Sequence, residues 1–437
     1  MPRSIIDLNY RRGVALRSTN LSQRDILNAY GAYQWWLSKN WLNEEGGNHP
    51  GQILWRTGGW AADSELYIIG AAIRELHRNG TKRAAFEAKK REFLSEQRGN
   101  QTGYLFELLV AQLLSAGGNS VTLRHASAEG YDLDVLTPDG VPIQVSCKVA
   151  EPSEHHKRFF DANYRVSGRF KEVCQAQRVQ GGACILQYAS YPPEDKRPTR
   201  KVLEQCVAAS RLNQPVGYTS DLYVATVGRL PHPAFAQSFS SDYLSYTFIA
   251  MQPVDQKAEL TRVVDRVKKA NRLFRPYTTE GKLNLTVIRV PTYLSIESAR
   301  ERLEQKFGGG DFSNTSAVLL LQSMITKGDG GQGPVASYHA YQYVINPGAL
   351  SSWPTSTSLN LVQPLGYTGT RSPQAQIAGQ TIQDNFYVYM DIVESIIVPA
   401  GTPMFGSDVP GVRRLIQSGD LGFAMEMPSI PMEFSLL

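Results

Sequence analysis

Two aspartates stand one residue apart in YDLDVL, and after a Pro138-Asp139-Gly140 turn the chain continues as VPIQVSCK, ending on Lys148. In an extended strand alternate side chains point to opposite faces. Asp132 and Asp134 therefore share one face of the first segment, with Leu133 and Val135 on the other. In the second segment Ile143, Val145 and Cys147 make an apolar face, and Gln144, Ser146 and Lys148 lie opposite it. If the segments pair as a hairpin the polar faces coincide, and two carboxylates meet one ammonium. A solvated face of an ordinary amphipathic hairpin would carry the same pattern. The stretch before it weighs against that blander reading: in GYLFELLVAQLL the only ionisable acid is Glu107, among apolar helical neighbours. A carboxylate buried alone costs several kcal/mol, so it requires a cation or strong donors. A metal site shared with the aspartates would supply them.

The elements that would position these groups follow from periodicity. Residues 1–98 read as helical: SQRDILNAYGAYQWWLSKNWL and SELYIIGAAIRELHRN repeat apolar groups at three and four residues, with Ser22 and Ser64 as N-caps, and TKRAAFEAKKREFLSEQR forms a charged helix. Gly99-Asn100 interrupts the pattern, and QTGYLFELLVAQLLSAGG is a short apolar helix stopped by Gly117-Gly118. NSVTLRH, YDLDVLT and VPIQVSCKV are strand-like. Residues 155 to 250 mix aromatic, basic and turn residues and give no clear assignment. From 255 onward a basic helix (DQKAELTRVVDRVKKANRLF), an apolar strand (LNLTVIRV), a helix (SIESARERLEQKF) and a second apolar strand (SAVLLLQSM) alternate, which predicts an α/β sheet covered by helices. GGGD at 308–311 is a turn, TKGDGGQGP a loop, and YHAYQYVINPGAL a further strand. Residues 351–437 turn to Pro, Gly, Ser and Thr and read as a β-rich region.

A helix carrying an acid, a strand with aspartate, a turn, and a strand closing on lysine resemble the PD-(D/E)xK restriction-endonuclease-like superfamily. The matching residues are Glu107, Asp132 (or Asp134) and Lys148, and the later helix–strand alternation is similar to the way such domains finish their sheet. The resemblance covers residues 99–350, with a long insertion after Lys148, and implies a mixed sheet flanked by helices. It also implies a metal-dependent endonuclease acting on DNA, with RNA left open. Asp132, Asp134 and Glu107 would hold Mg²⁺ or Mn²⁺, Lys148 would orient water or stabilise transition-state charge, and Gln144 would orient a ligand or the water. A restriction or anti-phage effector, alone, as a homo-oligomer or as a subunit of a defence complex, would suit the three-part layout. The departure is Ser146, which stands where the family has an acid two residues before the lysine. It leaves room for an inactive nuclease-fold scaffold or nucleic-acid-binding subunit.

Charge is distributed to match a polyanionic partner. Of 45 Lys/Arg and 40 Asp/Glu, residues 351–437 hold only 3 and 7, so the basic character lies earlier in the chain. Lys157, Arg158 and Arg169 follow Lys148, and Lys268, Lys269 and Arg272 lie on the later basic helix; such groups neutralise phosphates without reading sequence. His155 and His156, in a polar stretch, read as exposed bystanders. No run approaches the about 18 apolar residues of a membrane span, and the N-terminus lacks a signal-like core, which predicts a cytoplasmic protein with no membrane partner. Cys147, Cys174, Cys184 and Cys206 have neither disulfide nor metal spacing and are expected to be reduced and buried. There is no phosphate-binding G-x-x-x-x-G-K-[ST] loop. Ser356-Thr357-Ser358 with a later Glu426 resembles ADP-ribosyltransferases only faintly, because Ala424 stands where an acid is needed.

Overall fold

The computed structural model describes residues 22–44, 49–56, 60–95, 101–124, 130–177, 179, 182–189, 198, 200–210, 216–220, 223–229, 246–275, 281–327, 335–354, 357, 359–362, 367–369, 376–377, 380–381 and 386–393. Its first helices are α1 (Gln23–Leu37), α2 (Lys39–Leu42), α3 (Pro50–Arg56), α4 (Trp60–Arg78) and α5 (Arg83–Leu94). Ser22 caps α1 as expected, its Oγ accepting from the Asp25 amide at 3.2 Å. The helix that Ser64 was expected to cap begins earlier, at Trp60. Ile26, Tyr30, Tyr33 and Leu37 recur at helical spacing and are buried in one core. α1 crosses α4 so closely that a Cβ on Gly70 would collide with the Ala29 carbonyl oxygen, which makes glycine obligatory at that crossing.

Next in the chain are α6 (Gln101–Ala116), β1 (Ser120–Leu123), β2 (Leu133–Leu136) and β3 (Pro142–Val149). They are followed by α7 (Glu154–Ala176), β4 (Gly182–Tyr188), α8 (Arg200–Ser210), β5 (Val216–Thr219), β6 (Tyr223–Arg229) and β7 (Tyr246–Pro253). After these come α9 (Gln256–Phe274), β8 (Leu283–Arg289), α10 (Ile296–Gly308), β9 (Ala317–Lys327) and β10 (Val335–Ile345). The last described strands are β11 (Tyr367–Gly369), β12 (Gln376–Ile377), β13 (Gln380–Thr381) and β14 (Phe386–Val393).

The protein is a mixed α/β structure. Seven strands form one sheet in the order β1-β2-β3-β8-β9-β10-β11, antiparallel from β1 to β3, parallel from β3 through β8 to β9, antiparallel from β9 to β10 and parallel again from β10 to β11. Val145 and Cys147 of β3, Val287 of β8 and Leu319 of β9 face the core that α1, α4 and α6 fill. The opposite face is covered by α9 and α10, so all seven residues of β8 are buried. Gln144 and Ser146 are buried too, at 3% and 0% exposure, so the polar face of β3 is a covered one.

The region that gave no assignment from sequence forms the long helix α7 and most of a second sheet, ordered β14-β7-β4-β6-β5 and packed under α7 and α8. Strands β11 and β14, both within the stretch read as a β-rich C-terminal region, edge the first and the second sheet respectively. The four cysteines are free and buried. No described helix is long and apolar enough to cross a membrane. The glycine-rich loop at 328–334, Ser356, Ser358 and Glu426 lie outside the described residues.

Candidate functional site

β2 and β3 pair as the hairpin expected, with Leu133 opposite Val145 and Asp134 opposite Gln144. Asp132 precedes β2, its amide donating to the Val145 carbonyl at 2.8 Å. From there its carboxylate reaches the C-terminal end of β3. Oδ2 accepts from the Cys147 amide at 2.7 Å, from Ser146 Oγ at 3.3 Å and from Lys148 Nζ at 3.4 Å. Lys148 Nζ also donates to the Cys147 carbonyl at 3.0 Å. The side chains of Asp132 and Lys148 are only 16% and 19% exposed, so their pair is screened less than a surface one. Among the described residues all three bonds fall on Oδ2, so Oδ1 is the oxygen a cation could take.

Glu107 approaches from α6, over the other side of the hairpin. Burial first, and then the charge of Asp132, push its pKa up to about 7 against the pull of Lys89 and Lys148. Lys89 is its direct partner, with Nζ 2.9 Å from Glu107 Oε2. Lys89 projects from α5 and is itself 11% exposed. Burial pulls the Lys89 pKa down, but Glu107, Asp132 and Glu92 outweigh it and hold the ammonium above its ordinary range. Cys147, between the acids, is kept as a thiol by burial and by the charges of Asp132 and Glu107. The molecule thus gathers Glu107, Asp132 and Lys148, and adds Lys89, which sequence reasoning missed. A signal for it exists: Lys89 falls on the helical stripe of Phe86 and Phe93, where a solvated lysine has no reason to be.

Asp134 and Gln144 belong elsewhere. Asp134 is exposed and accepts from Tyr131 Oη at 2.9 Å. Tyr131 is packed on Ala270 and Phe274 of α9 and carries the Arg124 guanidinium 4.0 Å above its ring. Burial and the bond to Asp134 raise the Tyr131 pKa to about 12, which keeps the hydroxyl a donor. Gln144 is near the same hydroxyl, pulling its pKa down slightly, and faces Asn284 across β3 and β8. Both residues line an open cleft of about 190 Å³ with Ser120, Thr122 and Lys282, at the end of β3 remote from Lys148. The expected three-acid set is corrected accordingly. Alternation fixes Asp134, which lies inside β2, but not Asp132, which precedes the strand and is turned by the Cys147 amide.

Searches against family models, curated proteins and solved structures match nothing. The site therefore stands on its own geometry. Among the described residues no three His, Cys, Asp or Glu side chains are gathered closely enough to hold a metal ion. Two carboxylates, Asp132 and Glu107, are near enough for their charges to interact, and that number suits Mg²⁺, which commonly takes one or two and fills its other positions with water and phosphate oxygens. The raised pKa of Glu107 comes from burial first and from the charge of Asp132 second, and a divalent ion beside the carboxylate would favour its ionised form against both.

Lys157, Arg158, Arg169, Lys268, Lys269 and Arg272 all occupy exposed positions on α7 and α9. α7 starts six residues after Lys148, and α9 is tied to the same end of β3 by Arg266 Nη2, 3.0 Å from Glu151 Oε2. Lys157 spends part of its charge on Glu154 at 2.9 Å. Of the two histidines, His155 is exposed as expected and only His156 departs from the expectation. His155 lies 3.5 Å from Asp255 Oδ2, whereas His156 turns inward and stacks on Tyr293 with ring centroids 4.6 Å apart. Burial lowers the His156 pKa to about 3, so it is a neutral packing group.

Proposed function

We propose that this chain is a divalent-metal-assisted nuclease of the PD-(D/E)xK restriction-endonuclease-like kind that hydrolyses DNA phosphodiester bonds. The observation that carries the reading is the meeting of Asp132, Ser146 and Lys148 at the end of β3, with Glu107 brought to them by α6. The order α6, β1 to β3, α9, β8 and β9 supports it, since these are the elements that carried the resemblance. Asp132 and Glu107 would hold Mg²⁺ or Mn²⁺, which when bound polarises a phosphodiester and lowers the pKa of a bound water. Lys148, fixed between Asp132 and the Cys147 carbonyl, presents an ammonium to negative charge developing on phosphorus oxygens. Ser146 substitutes for the usual acid by steadying Asp132 rather than by ligating. The exposed basic groups of α7 and α9 supply phosphate contacts that do not discriminate sequence. A restriction or anti-phage role follows by analogy only.

The test is cleavage of supercoiled plasmid with Mg²⁺ or Mn²⁺ by wild type, Asp132→Ala and Lys148→Ala. Nicking by wild type that each variant loses supports the proposal, and equal nicking by all three removes it. A second reading, a nuclease-fold scaffold that binds nucleic acid without cutting it, is favoured by Ser146 and by the Lys89–Glu107 ion pair, which already neutralises one acid. Retained DNA binding with no cleavage in either metal would favour that scaffold.

A further inference from the structure

The ion pair at Glu107 has a feature that a static salt bridge does not need, namely a second seat for its ammonium. Lys89 Nζ lies 2.9 Å from Glu107 Oε2 and also 4.0 Å from Glu92 Oε2, one turn further along the same helix. The Tyr104 ring sits 4.9 Å below the ammonium, so the path between the two carboxylates is lined by a face that attracts cations. Burial first, and then Glu92, raise the Tyr104 pKa, so the phenol stays neutral beside that acid. The Glu92 side chain is 35% exposed and the Glu107 side chain 9%, so one seat is close to water and the other is buried near Asp132. With Lys89 inside, the two acids Glu107 and Asp132 are balanced by the two amines Lys89 and Lys148. A divalent ion added to this set brings two further positive charges into a space that is already neutral, so it enters readily only if an amine leaves. Lys148 is held by Asp132 and by a backbone carbonyl, whereas Lys89 has an acid waiting outside.

We propose that Lys89 is a built-in counter-cation of the acid site, holding Glu107 in competition with a divalent metal ion and yielding it by moving to Glu92. The inference rests on the reading of Glu107 and Asp132 as the metal-holding acids and adds to it a device supplied by the N-terminal helices. Metal-free protein keeps its buried glutamate paired, and metal occupancy is set by the contest between ion and ammonium.

The experiment is a Mn²⁺ titration of the full-length protein by calorimetry, for wild type, Lys89→Met, Lys89→Arg, Glu92→Gln and Asp132→Asn. Removing a positive charge beside the site should tighten Mn²⁺ binding by about tenfold in Lys89→Met, with Lys89→Arg close to wild type. Glu92→Gln takes away the outer seat and should weaken binding by about threefold. Wild-type binding that Asp132→Asn abolishes, together with Lys89→Met affinity equal to or below wild type, overturns the competition but leaves the site reading standing. No Mn²⁺ binding by either wild type or Lys89→Met overturns both. Should Lys89→Met lack a cooperative melt, the half-exposed Glu92→Gln decides: an affinity unchanged from wild type overturns the proposal.

Discussion

Glu107 on α6 and Glu259 on α9 are both buried acids, 7% and 1% exposed, and their surroundings differ in kind. Glu259 meets neutral donors. Tyr387 Oη donates to its Oε1 at 2.8 Å and Tyr293 Oη to its Oε2 at 3.5 Å. The Tyr387 pKa is raised by burial and by the charge of Glu259, so the hydroxyl keeps its proton and remains a donor. That arrangement joins α9 to β14 of the second sheet and to the turn after β8, and His156 packs its ring on both tyrosines. Glu107 instead meets charges: one amine pairs with it while a second carboxylate opposes it. An acid satisfied by neutral hydroxyls is a fastener. An acid crowded by a like charge stores unfavourable energy, which a ligand can release, and such groups cluster where chemistry is done.

The comparison breaks most visibly in activity. Under the nuclease reading, Glu107→Gln should lower metal-dependent cleavage by about 100-fold or more while leaving the melting temperature near wild type, because a neutral amide no longer repels Asp132. Glu259→Gln should do the reverse, with cleavage within about twofold of wild type but stability reduced by about 1–3 kcal/mol, since its amide group cannot accept from both hydroxyls. Parallel plasmid-nicking and urea-unfolding measurements check this. Loss of cleavage in Glu259→Gln at full stability would erase the distinction.

A smaller effect sharpens the same contrast. Tyr387→Phe removes one donor from a buried carboxylate and should cost about 1–3 kcal/mol. Because Tyr387 lies on β14, the loss should appear as faster amide exchange in β14 and its partner β7, with the α6–β3 end unchanged. Equal acceleration at both ends would mean that the joint and the acid site unfold as one unit.

How much of this was legible in the sequence depends on what carries each feature. The helices before β1 and the alternation after residue 255 are readable because their apolar residues recur at one period against a polar background, as Ile26, Tyr30, Tyr33 and Leu37 do. The hairpin is readable because its turn and its alternation agree. The second sheet is not, since its binding to α7 uses pairs that no period announces, such as the buried bond from Tyr188 Oη to Asn163 Oδ1 at 3.0 Å. In the site, the register of β2 and β3 was enough to bring Asp132 to Lys148, whereas parity misled for Asp134 because Asp132 stands outside the strand. Glu107 could be suspected from its apolar neighbours. Its partner could not be named, because Lys89 reaches it only through the packing of α5 on α6, a tertiary contact between helices.

The smallest effect is one of pH, and it sets the two regions against each other directly. In metal-free buffer Glu107 carries a folded-state pKa raised from its ordinary 4.5 to about 7, so between those values the folded chain holds a proton that the unfolded chain has released. That contribution makes stability fall as pH rises through the window. His156 acts with the opposite sign. Its folded-state pKa is lowered from 6.5 to about 3, so as pH falls below 6.5 the unfolded chain takes up a proton that the folded chain refuses, and stability falls with pH. From about pH 4.5 to 6.5 the two contributions therefore oppose each other, and wild type should vary less with pH than either variant relative to it. Glu107→Gln leaves the histidine contribution uncompensated, so the difference in unfolding free energy between variant and wild type should increase with pH. In His156→Phe, which keeps a ring on Tyr293, the same difference should decrease with pH. Urea unfolding at half-unit pH steps measures both slopes, each bounded by about 1.4 kcal/mol per pH unit for a single proton. Parallel curves for Glu107→Gln and wild type would show that the glutamate is ionised throughout, and that Lys89 alone is enough to hold its charge against Asp132.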